Sequence, residues 1–230
     1  MSLETFGDPS ELYFARGTEV SEYRPLFTGD VVSDVTIPGI QEGGLAIVIS
    51  HPCSMRGKNG VLNNTTLLAA VRQHESLNSK LWESGYFALT PLPMLDCANF
   101  YVGDFNAMSA APTATIASKR LACLSAVGVN LLEQRLIWYM ARIEVPTFQI
   151  QEAFAHLLEE TDLCHEWCEV LCESGYSIAE AVTLFVGFIR KQSEGGRNLQ
   201  DDLRDSQRRA AVRRACRSEA ELLAIRNSSA

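Results

Sequence analysis

Short apolar runs separated by turn-forming residues fill the chain up to residue 124. Residues 45–49 are apolar at every position, which is typical of a strand that is buried on both faces. Residues 10–15 predict an extended arm or a short helix. The same criteria predict further strands in residues 31–37, 66–71, 86–90, 99–102 and 113–117. Short strands with turns between them indicate a small β-barrel rather than alternating strands and helices.

The pattern becomes helical at Ser125, after which apolar residues recur every three or four positions. Ser125 is a suitable N-cap for a helix that runs to about residue 143 and is ended by Pro146. Ser177 and Glu180 have the spacing of a capping box before another helix. The helices predicted after the first one cover residues 148–160, 163–172, 181–190 and 199–225.

Together these patterns predict an α+β protein with a barrel-like β domain in residues 1–124. A helical region follows in residues 125–230 and ends in an arginine-rich helix. The chain has 230 residues, 47% hydrophobic and 21% charged, which suits a soluble globular protein. We see no secretory signal and no apolar run near the ~20 residues that span a bilayer. Seven cysteines without a disulfide spacing indicate reduced thiols. We therefore expect a cytoplasmic protein that does not contact a membrane.

The charges are distributed unevenly around a net charge of −8. Residues 1–189 carry 10 basic and 22 acidic side chains, whereas residues 190–230 carry 10 basic and 6 acidic ones. No Lys or Arg occurs between Arg142 and Arg190, where nine acidic residues lie. That acidic segment repels a phosphate backbone, so a contact with nucleic acid has to come from elsewhere in the chain.

The loop that follows residues 45–49 concentrates the reactive side chains. RNA cleavage by the substrate's own 2′-hydroxyl needs a base and a group that stabilises the charged phosphorane. His51 is the candidate base, Arg56 the phosphate clamp and Lys58 an assisting cation. Cys53 is a candidate nucleophile, since in an extended segment it faces the same way as His51. The structural alternatives are that His51 ends the strand and caps a neighbouring carbonyl, and that Cys53 packs as a small hydrophobic residue.

Two segments carry a resemblance to a known family. Gly29-Asp30-Val31-Val32 and the Ala-Ile-Val-Ile-Ser of residues 46–50 resemble the first two strands of the PemK/MazF-like family. These proteins are toxins with a small SH3-like barrel that cut RNA. Within residues 25–110, the resemblance implies a toxin- or defence-associated endoribonuclease that acts through the 50–58 loop. The family usually has Arg-Pro before the second strand, and that arginine carries catalysis, whereas this chain has Gly43-Gly44-Leu45. The alternative is therefore a non-catalytic interaction or scaffold subunit of a larger bacterial complex.

Two further groups lie in the helical region. Cys164, Cys168 and Cys172 are spaced by four, and two such thiols could share a metal ion. A closed zinc site needs four ligands, usually with a loop spacing that is absent here, so we predict a core stripe with no metal or cofactor. Arg209, Arg213 and Arg217 share one helix face. They could contact RNA or the acidic 144–180 segment of the same or a second chain. We predict that they bind protein, in the same chain or another, and we expect a protein partner or self-association.

Overall fold

The computed structural model describes residues 3–36, 43–57, 61–76, 78–96, 98–192 and 196–228. The chain forms two compact units, each assembled from three segments. The first unit consists of Met1–Val20, Leu26–Met55 and Leu62–Ala153, and the second of Ser21–Pro25, Arg56–Val61 and Phe154–Ala230. The predicted domain boundary after residue 124 stays a prediction, because a compact unit is not by itself an independently folding domain.

The first unit contains one antiparallel sheet of seven strands in the order β1-β7-β2-β3-β4-β6-β5. The strands are β1 Tyr13–Arg16, β2 Val31–Val35, β3 Gly44–Val48, β4 Thr65–His74, β5 Leu89–Leu92, β6 Phe100–Pro112 and β7 Arg120–Leu124. Two short 3₁₀ helices, Pro9–Leu12 and Gly17–Glu19, flank β1.

Eight α-helices complete the described part of the chain. They are α1 Pro52–Met55, α2 Ser79–Ser84, α3 Thr113–Ile116, α4 Ala126–Ala141, α5 Thr147–Glu173, α6 Ile178–Ile189, α7 Leu199–Asp202 and α8 Arg209–Ser228. No helix in the described ranges is long and apolar enough to cross a membrane. The α+β class is therefore as predicted.

The sheet is open, and the predicted closed barrel is not confirmed. Its edge strands are β1 and β5, and no ladder joins them in the residues that the structure describes. Helix α4 contacts both of these strands and also β7. The guanidinium of Arg135 in α4 donates to the carbonyl oxygens of Leu89 in β5 at 3.3 Å and of Trp82 in α2 at 2.6 Å. Exposed strand edges invite pairing with other chains, and α4 covers these two edges in place of a ladder.

The residues around α4 explain why it fits so closely. Ser125 caps the helix, as predicted, by accepting a hydrogen bond from the N–H of Gly128 at 3.2 Å. A Cβ atom at Gly128 would lie 2.3 Å from the carbonyl oxygen of Leu12, so only glycine permits this approach to the 3₁₀ helix before β1. Arg142 ends α4 in the left-handed conformation, four residues before Pro146.

The predicted central strand is β3, which lies between β2 and β4. Ala46, Ile47 and Val48 are completely buried, and Leu45 at the start of the strand is half-buried. One cluster of buried residues on this sheet brings together Leu26, Val32, Val35, Ala46, Val48, Met55, Leu68, Ala111 and Ile116. The uniformly apolar sequence of the strand therefore corresponds to burial on both faces.

The second unit has its own core between α5, α6 and α8. Trp167 of α5 stacks on Phe188 of α6 at 5.4 Å between ring centroids and donates its Nε1–H to the carbonyl oxygen of Ala181. Arg24 attaches the segment Ser21–Pro25 to α5 through an ion pair of 2.5 Å with Asp162. Helix α6 begins with the predicted capping box of Ser177 and Glu180.

Three predicted elements differ in the structure. Residues 113–117 form helix α3 instead of a strand, since Thr113 bonds through its hydroxyl to Thr66 and its N–H donates to the carbonyl of Asn64. The two helices predicted within residues 148–172 are one continuous helix, α5. Thr161 fits inside it because its hydroxyl donates to the carbonyl of Leu157 one turn earlier. The last predicted helix is divided into α7 and α8, because the side chain of Asp205 accepts the N–H of Gln207.

Neighbouring leucines in β4 test the burial of the sheet. Leu68 is completely buried, whereas Leu67 is 41% exposed. We expect Leu68→Ala to lower the free energy of unfolding by about 2–5 kcal/mol, because it leaves a cavity in the core. The matched change Leu67→Ala should cost less than about 1 kcal/mol. Denaturant unfolding measures both values, and equal costs would contradict this orientation of β4.

Helix α4 also buries an acidic side chain, Glu133, whose pKa burial raises from 4.5 to about 7. The folded protein therefore binds a proton more tightly at this carboxyl than the unfolded chain does. Stability should fall as the pH rises from about 4.5 to 7 and then stay level, with a change on the order of 3 kcal/mol from this group.

The variant Glu133→Gln removes this titration while keeping the size of the side chain. We expect it to be more stable than the parent at pH 8 and to lose its share of the pH dependence between about pH 5 and 7. The exposed acid Glu144, changed to Gln, is the control. Urea unfolding at a series of pH values is the measurement, and identical profiles for the parent and Glu133→Gln would be evidence against a raised pKa.

Candidate functional site

The first residues of the predicted catalytic loop form a helical turn. Pro52–Met55 is helix α1, and His51 precedes it. The Nδ1 atom of His51 accepts the backbone N–H of Cys53 at 3.2 Å. Partial burial lowers the pKa of His51. Because Nδ1 accepts a hydrogen bond, the neutral ring carries its proton on Nε2. The nitrogen that a general base would use is therefore already an acceptor for the backbone, and the group that His51 caps through it is an N–H instead of the expected carbonyl.

Cys53 has an exposed, reduced thiol. The expectation that it faces the same way as His51 assumed an extended segment, and that assumption is wrong because Cys53 lies in α1. Successive residues of a helix are rotated relative to one another instead of alternating across a strand. A nucleophilic role for Cys53 stays a prediction, without the geometric argument that first supported it.

Polar groups around this turn are engaged in holding it to the sheet. The hydroxyl of Ser50 accepts the N–H of Leu67 at 2.7 Å, and its carbonyl accepts the hydroxyl of Thr28 at 2.6 Å. Asn63 donates from its side chain to the carbonyl of Ser54 and from its backbone to that of Met55. The density of polar groups in this loop therefore has a structural use.

Arg56 and Lys58 complete the predicted catalytic set. Lys58 lies outside the described residues. Arg56 belongs to the second unit, where Cys164 and Cys168 also lie. A hydrogen bond from Cys164 and the charge of Arg56 lower the pKa of the Cys168 thiol. Of the three described residues, His51 and Cys53 lie in the first unit and Arg56 in the second, and a site shared by all four residues stays a prediction.

The cysteine stripe lies in the core of the second unit. Cys164 and Cys168 are buried, and Cys172 is partly buried. A hydrogen bond with Cys168 and burial raise the pKa of the Cys164 thiol. Within the described ranges, no group of three or more His, Cys, Asp or Glu side chains could hold a metal ion. The stripe packs against α6 and α8 as small apolar residues do.

The predicted partner-binding arginines lie at the start of α8 and contact the second unit itself. Arg213 donates from two nitrogens to Oε1 of Glu159, at 3.0 and 2.6 Å. Arg217 donates to Glu166 at 2.9 Å, and Arg209 donates to the carbonyl of Leu203 at 2.8 Å. Arg213 and Arg217 therefore contact the acidic segment of the same chain, which is one of the predicted alternatives, whereas Arg209 does not. Binding of a second chain by these arginines stays a prediction.

A groove of about 310 Å³ lies between α5 and α8. Its floor is apolar, with Leu163, Trp167 and Val170 from α5 and Cys216 and Ala220 from α8. Its rim is formed by charged side chains, Glu166, Glu169, Glu221 and Arg217. An apolar cleft of this size with a few charged groups at its mouth is the usual form of a binding site.

The charges at the rim do not cancel. Arg217 pairs with Glu166, and Glu166 and Glu221 together raise the pKa of the Arg217 guanidinium. Glu169 lies 3.2 Å from Nε2 of His165, whose ring is charged only when protonated. Three carboxylates against one guanidinium leave the mouth of the groove negative.

The sequence analysis did not find this groove. Leu163, Trp167 and Val170 recur at the spacing of one helix face, with Glu166 and Glu169 beside them. That signal identifies an amphipathic helix, but only the packing of α8 beside α5 turns the face into the wall of a groove.

No model of a known protein family matches the chain. No curated protein matches it either.

The ion pair between Arg213 and Glu159 can be tested by charge reversal. Arg213→Glu should lower the free energy of unfolding by about 1 kcal/mol, because the guanidinium is partly exposed and screened by water. The swapped double variant, Arg213→Glu with Glu159→Arg, should recover most of that loss. The same reversal at the exposed neighbour Arg214 is the control and should change little. Failure of the swap to restore stability in denaturant unfolding would contradict the pairing.

Proposed function

We propose that this protein is a non-catalytic interaction subunit, which binds a partner protein through its helical second unit. The observation that carries the proposal is the α5–α8 groove, with its apolar floor and negative rim. Protein partners commonly place anchor side chains in such apolar grooves and charged groups at the rim.

The hydrogen bonds and ion pairs that the candidate catalytic and phosphate-binding groups already make support the same proposal. His51 accepts a backbone N–H through its Nδ1 atom. Two arginines of α8, Arg213 and Arg217, form ion pairs with carboxylates of α5. A chain with net charge −8 also repels RNA at long range.

An RNA-cutting toxin of the PemK/MazF-like kind is the second candidate. In its favour, the exposed His51 and Cys53 stand at one turn beside the central strand β3. The Gly29–Asp30 turn also precedes β2, as in that family. This turn has a folding role of its own: Gly29 has a φ of +89°, and Asp30 accepts the N–H of Phe27 at 3.0 Å.

Photo-crosslinking in the host cell tests the interaction subunit. A benzoylphenylalanine at the half-buried Val170 should give a discrete crosslinked product with one partner protein, because the residue lines the groove. The same group at the exposed Ser206, in the same unit but outside the groove, is the matched control and should not give that product. The absence of a product at Val170 would overturn the proposal.

Incubation with RNA separates the two candidates. For the interaction subunit, we expect neither the purified protein nor its His51→Ala variant to cut a mixed RNA substrate. Cleavage by the parent that is lost in His51→Ala would favour the toxin, since a contaminating nuclease would cut equally in both preparations.

A further inference from the structure

We infer that the α5–α8 groove binds a basic amphipathic segment of the partner protein, with apolar side chains in the groove and Lys or Arg against its rim. This inference rests on the proposed function and adds the chemistry of the partner. It follows from three observations: the floor of the groove is apolar, its rim is negative, and the arginines of α8 beside it are already bonded within the chain.

The apolar floor of the groove favours apolar side chains in the partner segment. Leu163, Trp167, Cys216 and Ala220 are each 2% exposed, and Val170 is partly buried. They come from about two turns of α5 and α8, so the floor is short along the helix axes. A volume of about 310 Å³ at this length accepts a few side chains rather than a whole domain. A helix or strand segment that inserts its apolar anchors fits these dimensions.

The carboxylates at the rim of the groove favour Lys or Arg side chains in the partner segment. Glu221 is exposed, Glu169 is half-buried, and Glu166 already binds a guanidinium, that of Arg217. That internal pair shows which chemistry this rim accepts. An acidic segment would meet like charges here, which is unfavourable at a desolvated interface.

The arginines of α8 that lie along α5 are already engaged within their own chain. In α8, Arg213 and Arg217 are held by Glu159 and Glu166 of the same copy, and Arg209 donates to the Leu203 carbonyl. A second copy would therefore have to break these ion pairs before it could offer them. A different protein with an exposed Lys- or Arg-rich amphipathic segment meets no such cost.

Labelled peptides test this inference with the full chain. The probe is a fluorescein-labelled peptide of about 14 residues, with Leu at helical spacing and Lys elsewhere. The first control peptide keeps every Lys and replaces each Leu by Ser. The second keeps every Leu and replaces each Lys by Glu. Fluorescence anisotropy at low and moderate salt should show saturable binding of the Leu-Lys peptide, with both controls at least about tenfold weaker.

Two double variants locate the binding. Glu169→Lys with Glu221→Lys should weaken the Leu-Lys peptide by at least about tenfold, because it reverses the rim. Glu144→Lys with Glu152→Lys makes the same change in net charge at exposed acids outside the groove, and should stay within about twofold of the parent. Val170→Trp, which fills the groove without a change of charge, should weaken binding as well. Matching circular dichroism melting curves establish that the variants are folded.

Each contrary outcome has a definite meaning. Equal affinity for the Leu-Lys and Ser-Lys peptides, or equal effects of the two double variants, would mean that the protein attracts any polycation, and would overturn the inference. Lack of peptide binding would also overturn it. If Val170 nevertheless crosslinks a partner in the cell, the interaction subunit stands and only the basic segment is wrong. A crosslinked product that consists of two copies of this chain would identify self-association instead.

Discussion

The packing of α4 against both edges of the open sheet is the contact on which the first unit depends. An antiparallel sheet that does not close leaves backbone groups unpaired at β1 and β5. Arg135 donates to one carbonyl in β5 and one in α2, and burial lowers the pKa of its guanidinium to about 10. Arg16 of β1 donates to the carbonyl of Met94, just after β5, at 2.6 Å. The two edges are thus joined through side chains instead of a ladder.

This arrangement assigns structural work to polar residues that a motif search would treat as catalytic. His51 caps a helical turn, Ser50 bonds to the neighbouring strand, and Asp30 holds the turn before β2. Asp30 also lies 3.7 Å from Arg120 of β7, and both side chains are buried. A buried pair of this kind has to be well bonded to offset the loss of hydration. Such positions tolerate little change, whatever the protein does.

The second unit uses charge differently. Acids of α5 and arginines of α8 pair along part of their contact, through Glu159 with Arg213 and Glu166 with Arg217. Surface ion pairs contribute little stability one by one, so the apolar core around Trp167 provides most of the stabilisation. The carboxylates left at the mouth of the groove are a surplus that stability does not explain. In the proposed function, that surplus is what a basic segment of the partner contacts.

The sequence by itself determined the α+β class, the burial of β3, and the caps of Ser125 and Ser177, because each depends on residues close together in the chain. Only the tertiary structure decided that Thr113 begins a helix and that β7 joins β1 to β2, since hydrogen bonds to distant strands outweigh local propensity. The α5–α8 groove, too, was decided only by the tertiary structure. Its walls come from helices about fifty residues apart, and periodicity within one helix carries no information about which other helix will cover it.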